Sequence, residues 1–573
     1  MTSTPSTPIT PSATASTLRS ASLLRSRFSS QRLQLVLALL CLAAGLRAAN
    51  IDRLDVWLDE AHTVLTATSP RGILAALHSD TNPPLYFYIM KLWIHLFGLS
   101  ALAIRSFSLL AGIGTIAALG LWLRESGASW RTAAWTMALA TVAPLQIHYS
   151  QEARSYSLAC LLLTLSLWTF TRAANRGSVL AWSLHGLTVV ASFYTHNLLV
   201  PIAAGFWMAA ALGSIRSRKQ WRAMILTYLA IALAAIPEFL LLFNQAGGSG
   251  GMAWIRPIWL ATPPALAIPR SLEVLGLGGD MPTTLLWPSL PGMLHVLAIA
   301  LTAILLIAAF WPAQKPQPNA SVESHSDDGH SHRWLPVIFT LWPLLFLFLY
   351  SIFKTPIYVL ARYDVLAQPA YLALLGAGLA RLTAPSATRW RTPVVAGGLI
   401  AAAAFALMLL SLYARWNLTL SEQLTRFTHR GEYLQMAGSP DDLIICTGLE
   451  ASGVLYQAQL RGFPARVISF PRETLLHPGW FLSNEALIAQ HDQWPAEAAA
   501  ACQLASTLNA KRLWIIEDAA AWNMPSDLAN FTPRQALTAL LESTAKQLGY
   551  HERPDNPVNR QTEAAMHIMC LER

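Results

Sequence analysis

Leu335–Phe353 reads LPVIFTLWPLLFLFLYSIF, and residues 354–366, KTPIYVLARYDVL, turn polar at once. A helix needs about 20 apolar residues to cross the hydrocarbon of a bilayer. The first stretch meets that length without one charge. Residues 133–147 with their flanks, 225–243 and 296–311 are further blocks of the same kind. Of 573 residues 54% are hydrophobic and 12% charged, half the roughly 25% charge of a soluble domain. The chain therefore reads as a polytopic α-helical membrane protein.

The formal net charge of +9 does not point to nucleic acid. The arginines sit in short gaps between apolar blocks, without the aromatic interleaving of a single-strand groove. Basic residues in short gaps hold those gaps in the cytoplasm. The five cysteines form no C-x-x-C pair, so a zinc ribbon is unsupported. With no P-loop, energy does not come from nucleotide hydrolysis on this chain.

Residues 1–32 are Ser/Thr/Pro-rich and carry Arg19, Arg25, Arg27 and Arg32, a composition that predicts a disordered cytoplasmic N-terminus. A signal peptide is the competing reading. Basic residues then mark alternate gaps: Arg124 and Arg131; Arg172 and Arg176; Arg216, Arg218, Lys219 and Arg222; Lys315 and Arg333; Arg381, Arg389 and Arg391. With the N-terminus inside, all of these stay inside if about eleven helices cross. Residues 50–102, 148–154, 195–197, 245–291, 354–363 and the tail from Arg415 then lie outside. The first of these loops is long enough to be functional or separately folded. Within it, residues 83–97, PPLYFYIMKLWIHLF, are too short to cross and suit a helix lying in the interface.

The predicted organisation is a multi-pass domain over 33–414 and an extracytoplasmic α/β domain over 415–573. In the tail, DDLIICTG, ARVISFP, KRLWIIED and EAAMHIMCLE read as strands. ASGVLYQAQLRG, AEAAAACQLASTLNA and TPRQALTALLESTAKQLG read as helices among them. This predicts a partly parallel sheet. Cys446, Cys502 and Cys570 fall here, and Cys446 and Cys570 could pair across neighbouring strands. No G-x-G-x-x-G opens the first helix, so no nucleotide is assigned.

Polar groups collect on the outer face. VWLDEAHTVL, residues 56–65, carries Asp59 and Glu60; HSDTNPPLYF carries His78, Asp80 and Asn82; HYSQEARSYSL carries His148, Glu152, Arg154 and Tyr156. FYTHNLL adds His196, and the stretch after Phe353 adds Lys354, Tyr358, Arg362 and Tyr363. Converging ionisable groups at a membrane boundary suggest function. Each also has a plainer reading. Arg154 or Lys354 could anchor a helix end, His196 could be a hydrogen-bonded core histidine, and Asp59 could be an N-cap. Carboxylates facing arginines suit a sugar held on a phosphate. The departing phosphate needs a cation, the attacking hydroxyl needs a base, and a single displacement with one base inverts the anomeric centre.

W-x-D-E in a long first outer loop, D-T-N-P-P-L beyond it and the later P-x-Y…R-Y turn together resemble the C-type (GT-C) integral-membrane glycosyltransferases. The likeness is to the branch of protein O-mannosyltransferases, the lipid A aminoarabinose transferase and bacterial lipopolysaccharide-core sugar transferases, and it spans roughly residues 33–415. The resemblance implies a polyprenyl-phosphate sugar donor, a glycan, lipid or protein acceptor, and a site in the plasma (inner) membrane facing outward. It makes Asp59 the base, or the group that positions the acceptor, with Glu60 beside it and Asp80 as a second acid. Asn82 stands where mannosyltransferases have a histidine. Glu152, Arg154 and Tyr156 match an E-A-R-x-Y stretch of the bacterial branch, and Arg362 and Tyr363 would hold the lipid-linked phosphate. Some relatives use a divalent cation, and the sequence leaves one open, since His62, His78 and Asp80 show no ligand spacing. SHSDDGHSH, with His325, Asp327, Asp328, His330 and His332, reads as a solvated cytoplasmic loop. The rival class is a transporter or flippase of lipid-linked sugars. Such a protein would show repeated halves and midplane charges, and neither is seen in the sequence.

Overall fold

The computed structural model describes residues 13–573 except 79, 247–254, 262, 278–289, 312–333, 385–391, 424–438, 440, 448–449, 463–465, 472–490, 519–532 and 553–565. Residues 325–332, the His-rich stretch, lie outside the described residues. Among the described residues, seven helices are long and apolar enough to cross a membrane: Ser30–Ala48, Ala101–Glu125, Tyr156–Arg176, Gly292–Phe310, Leu335–Phe353, Asp364–Leu382 and Val394–Trp416. An eighth candidate is the pair Arg218–Ala234 and Ile236–Asn244, bent by 46°. Pro237 explains the bend, because its ring displaces the carbonyl one turn back and it has no N–H to donate. The other expected crossings fall on shorter helices: Trp130–Val142, which breaks at Ala143 before Pro144–Ser150, and Val179–Phe193 and Leu199–Ser214. Leu85–Phe97, expected in the interface, is 13 residues long. That is about 20 Å at 1.5 Å per residue, too short for a crossing alone.

One expectation fails at the N-terminus. The first helix runs Ala13–Ala48, so much of the leader expected to be disordered is helical. Between Ala13 and the apolar run there is no Gly or Pro, and Ala, Leu and Arg are good helix formers.

The described basic residues Arg131, Arg172, Arg176 and Arg381 of the predicted gaps are tied to neighbouring helix ends. Glu125 pairs with Arg172 (3.5 Å) and Arg176 (3.8 Å). Arg131 donates to Thr383, Gln220 to the Ala174 carbonyl, and Arg381 to the carbonyls of Ala308 and Trp311. Asp59, Arg154, His196 and Arg362 cluster together. Asp364–Leu382 is the central helix: 78% of its span is buried, against 11% for Ser30–Ala48. Two glycines let it approach its neighbours. A Cβ at Gly376 would collide with Thr136, and one at Gly378 with the Leu305 carbonyl. Membrane helices lack a hydrophobic drive toward one another, so such close van der Waals contact carries their association.

Among the described residues the tail forms a five-stranded sheet: β1 Asp442–Thr447, β2 Arg466–Phe470, β3 Arg512–Asp518, β4 His551–Glu552 and β5 Met566–Glu572, in the order β2-β1-β3-β5-β4. β2, β1 and β3 are parallel, and β5 and β4 are antiparallel. Side chains alternate across the sheet. Leu443, Ile445, Leu513 and Ile515 meet the helices Trp494–Thr507 and Pro533–Gln547, while Ile444, Cys446, Trp514 and Cys570 meet Glu450–Arg461. Cys446 and Cys570 are therefore not on neighbouring strands. β3 lies between them, a separation of about 10 Å at sheet spacing, beyond the roughly 7 Å a disulfide spans. Glu450–Arg461 also docks on Leu58–Ala67. Tyr456, 1% exposed, packs with Val56, Ala61 and Val64, and its hydroxyl donates to the Leu99 carbonyl at 2.8 Å. The sheet domain thus sits directly on the helix that carries Asp59.

Candidate active site

Leu58–Ala67 begins at Trp57, whose backbone is extended, so Asp59 and Glu60 occupy its first turn. Negative charge is favoured there by the free N–H groups of the helix start. Asp59 is not the cap. Neighbouring residues on a helix point about 100° apart, and the two carboxylates meet different partners.

Glu60 is fully buried and saturated. Arg105, 3% exposed, grips it through Nε (2.8 Å) and Nη2 (2.6 Å). The amides of Ala153 (2.8 Å) and Trp57 (3.3 Å) donate to the same carboxylate. Arg105 Nη1 donates to the carbonyls of Ile51 (2.8 Å) and Leu54 (2.7 Å), and Nη2 donates also to that of Asp55 (2.8 Å). This cluster ties the start of the first loop to the Ala101–Glu125 span.

Asp59, 2% exposed, faces two cations. Arg362 Nη2 lies 2.5 Å from its Oδ2, and Arg154 Nε 3.8 Å from the same oxygen. Arg154 also donates to the Asp59 carbonyl (3.2 Å). Burial pushes the Asp59 carboxyl up, but Arg154 and Arg362 together outweigh it and hold it below the usual carboxylate range. Arg362 donates from Nε to the Tyr156 hydroxyl (2.7 Å) and lies over the rings of Tyr156 and Tyr363. His196 touches both tyrosines, with ring centroids 5.7 and 5.9 Å away. Burial, with Arg154 and Arg362 nearby, drops His196 to about 3, so its imidazole is neutral. Ala361, just before Arg362, has a φ of 60°, and the Tyr149 hydroxyl holds its carbonyl at 2.5 Å. A non-glycine residue in the left-handed region stores strain that its surroundings must hold, and here it aims Arg362 at Asp59.

Glu152 is also buried. Burial and the nearby Glu60 raise it to about 8, so it is mostly protonated at neutral pH. His148 Nε2 is 3.8 Å away. Asp80 accepts from the Thr81 amide (2.6 Å) and Asn82 Nδ2 (2.9 Å) and contacts His62 Nε2 at 2.9 Å. Asn197 reaches the Thr81 carbonyl (2.7 Å), and the Leu85 amide bonds the Tyr194 carbonyl (2.8 Å). These bonds fasten the D-T-N-P-P-L loop to the His196 turn. Among the described residues no three His, Cys, Asp or Glu side chains converge as a metal site would require. A carboxylate between two guanidiniums, walled by tyrosines, can hold an anion on the cations. It can accept a proton once a cation turns away.

ArnT from Cupriavidus metallidurans in the apo state aligns with a TM-score of 0.52 at 11% identity, covering 93% of this chain and 97% of that one. The chain shares the fold of that protein. The same ArnT bound to undecaprenyl phosphate aligns with the same score, identity and coverage. The apo oligosaccharyltransferase of Archaeoglobus fulgidus gives 0.47 at 12% identity, over 88% of this chain and 71% of that one. Residues 81–240 match the family model described as dolichyl-phosphate-mannose-protein mannosyltransferase. No curated protein sequence matches.

Asp59, Arg154, Tyr156, His196, Arg362 and Tyr363 come together, with Glu60, Glu152, Asp80 and Asn82 around them. His78 and Lys354 are exposed at helix ends. Tyr358 points elsewhere: its hydroxyl bonds Ser271 (2.7 Å), which also donates to Asp364 (2.5 Å). Tyr358 and Asp364 therefore pin both sides of the Arg362 turn to the Ala267–Leu275 helix. Sequence reasoning passed over Arg105, Tyr149 and Ser271. Arg105 had a signal, being a lone arginine inside an apolar span. The other two had none.

Proposed function

We propose that the chain moves a sugar from a polyprenyl-phosphate carrier onto an acceptor hydroxyl at the outer rim of the plasma (inner) membrane, with inversion at the anomeric carbon. The observation that carries this reading is Asp59, buried between Arg154 and Arg362 under Tyr156 and Tyr363. ArnT, whose fold this chain shares, has been solved with undecaprenyl phosphate bound, which supports the same class of carrier here.

At rest Arg362 neutralises Asp59. An incoming phosphodiester draws that guanidinium away, and the carboxylate recovers its basicity. Asp59 then takes the acceptor's hydroxyl proton as the acceptor oxygen bonds to the anomeric carbon. The bond from that carbon to the phosphate oxygen breaks, and the carrier leaves as a phosphate monoester. Its extra negative charge falls on Arg362 and Arg154, which are already in position. Glu60 serves as the pin of the loop, saturated by its four donors, and Asp80 holds the His62 side of the same helix. The N-terminus and the basic gaps face the cytoplasm, which their arginines support, and the α/β domain lies outside.

Membranes carrying Asp59→Asn test this. With a labelled polyprenyl-phosphate sugar they should transfer at a small fraction of the parent rate while the protein stays at parent abundance. Transfer at the parent rate would remove Asp59 as the base, and sugar movement without any transferred product would favour a transporter.

A further inference from the structure

Arg47 is the penultimate residue of the first span and is fully buried. An arginine inside a span calls for an explanation, and this one turns into the protein. Its guanidinium makes four hydrogen bonds, all to neutral oxygens. Nε donates to Ser150 Oγ (3.1 Å), Nη1 to the carbonyls of Ala43 (3.4 Å) and Thr141 (3.1 Å), and Nη2 to that of Ala140 (3.0 Å).

The sequence accounts for these partners. Trp130–Val142 ends at Ala143, and Pro144 opens the short helix Pro144–Ser150. Pro144 has no N–H to give the Ala140 carbonyl, and an unmet backbone carbonyl is costly inside a bilayer. Arg47 supplies the missing donors at a helix C-terminus, where a cation is favoured. The same guanidinium reaches the far end of the short helix at Ser150, and the carbonyls of Arg47 and Ala49 accept from Gln151 Nε2 (3.0 and 2.6 Å). Gly112 of the next span lies against this joint: a Cβ there would collide with Ser150 Oγ and come 3.1 Å from Arg47 Nε. The first span thus clamps Pro144–Ser150 at both ends.

That short helix carries Tyr149, whose hydroxyl holds the Ala361 carbonyl at 2.5 Å. Ala361 has the left-handed φ of 60° and directly precedes Arg362. Resting on the transfer reading above, we infer that Arg47 is a positioning residue of the site: through the helix break and Tyr149 it sets the aim of Arg362 at Asp59. Arg47 touches no reacting group. It fixes where the short helix begins and ends, and the Tyr149 bond hands that position to a turn whose strain its surroundings must hold.

The test compares the full chain with Arg47→Lys, Ser150→Ala and Tyr149→Phe in nanodiscs. Lysine keeps the charge but offers one compact ammonium where arginine offers a fork, so it cannot serve the break and Ser150 together. Ser150→Ala leaves Arg47 on the break and frees only the far end, which keeps the test open if Arg47→Lys fails to fold. Tyr149→Phe removes only the hydroxyl that reaches Ala361. Amide exchange read by mass spectrometry should speed up over residues 354–366 in all three, while residues 172–179 keep the parent rate. Transfer from a labelled polyprenyl-phosphate sugar should fall about tenfold or more in Arg47→Lys, since a misplacement of about 1 Å can cost about 100-fold. The acid limb of its pH–rate profile should move up, as Asp59 loses part of its cation contact. In an Arg362→Gln background Arg47→Lys should move that limb no further, because residues acting through one another are not additive. Unchanged exchange over 354–366 would overturn the inference, and so would faster exchange at 172–179 as well, which would make Arg47 a brace of the whole bundle. A further shift of the limb in the double variant would also overturn it. If exchange changes as expected but Arg362→Gln alone leaves the limb unmoved, the transfer reading falls while the hold of Arg47 on the turn stands.

Discussion

Replacing Glu60 by Ala removes the acceptor of four hydrogen bonds at once, from Arg105 Nε and Nη2 and from the amides of Ala153 and Trp57. Arg105 is left 3% exposed with only backbone carbonyls to face. Breaking one side of a buried ion pair costs about 3–5 kcal/mol, and the orphaned Ala153 amide adds about 1–3 kcal/mol. Glu60→Gln keeps the shape and one carbonyl acceptor, so its cost should be nearer the roughly 1.5–3 kcal/mol of a hydrogen bond to a charged group. The penalty falls on the loop that carries Asp59, not on the spans. Purified variants in detergent can be followed through thermal unfolding and assayed for transfer below the midpoint. Both Glu60 variants should lower the midpoint, Ala more than Gln, with activity falling in the same order. Asp59→Asn should lose activity with a smaller change in midpoint. If Glu60→Gln abolished transfer at an unchanged midpoint, Glu60 would be touching the reacting atoms, and its assignment as a pin would be wrong.

Three further substitutions test the geometry. Arg362→Gln takes away one of the cations that hold Asp59 low, so its pKa should rise. A base works only when ionised, so the acid limb of the pH–rate profile should move up, and an unmoved limb would contradict the pairing. The depressed pKa also stabilises the fold above the ordinary aspartate value of about 3.9, and that contribution is lost as pH falls through the folded value. The stability gap between parent and Arg362→Gln should therefore be open at neutral pH and close in acid. Gly378→Ala puts a methyl into the Leu305 carbonyl, and overpacking of about 1–3 kcal/mol should lower the unfolding midpoint; an unchanged midpoint would refute that close approach. Tyr456→Ala removes a buried ring from the domain contact, a loss of about 3–5 kcal/mol by analogy with Phe→Ala. It should speed hydrogen exchange across Leu58–Ala67, and unchanged exchange would mean that the tail does not brace that helix.

Much of the fold was legible because it rests on composition and period. Runs of apolar residues marked the spans, and short β-branched runs such as LIICT marked each main strand of the tail. Kinks were harder. The block at 133–147 looked continuous, yet Pro144 restarts it, and Pro237 bends the next long block. The site was legible where charge broke an apolar background, as at Asp59, Glu152, Arg154 and Arg362. Division of labour within the D-E pair was not, because it depends on Arg105 arriving from 45 residues away. Tyr358 looked like a ligand-binding residue from its place beside Arg362, but in space its hydroxyl meets Ser271. The Cys446–Cys570 pairing failed because strand order is a tertiary property: β3 inserts between two strands whose sequences carry no sign of it.

The most direct measurement follows the anomeric carbon itself. Purified protein is given a polyprenyl-phosphate sugar labelled with carbon-13 at that carbon, together with its acceptor, and the configuration of donor and product is read by NMR. The account predicts inversion with the parent chain and no product above background with Asp59→Asn. Retained configuration, or undiminished product from Asp59→Asn, would contradict a single displacement driven by that carboxylate.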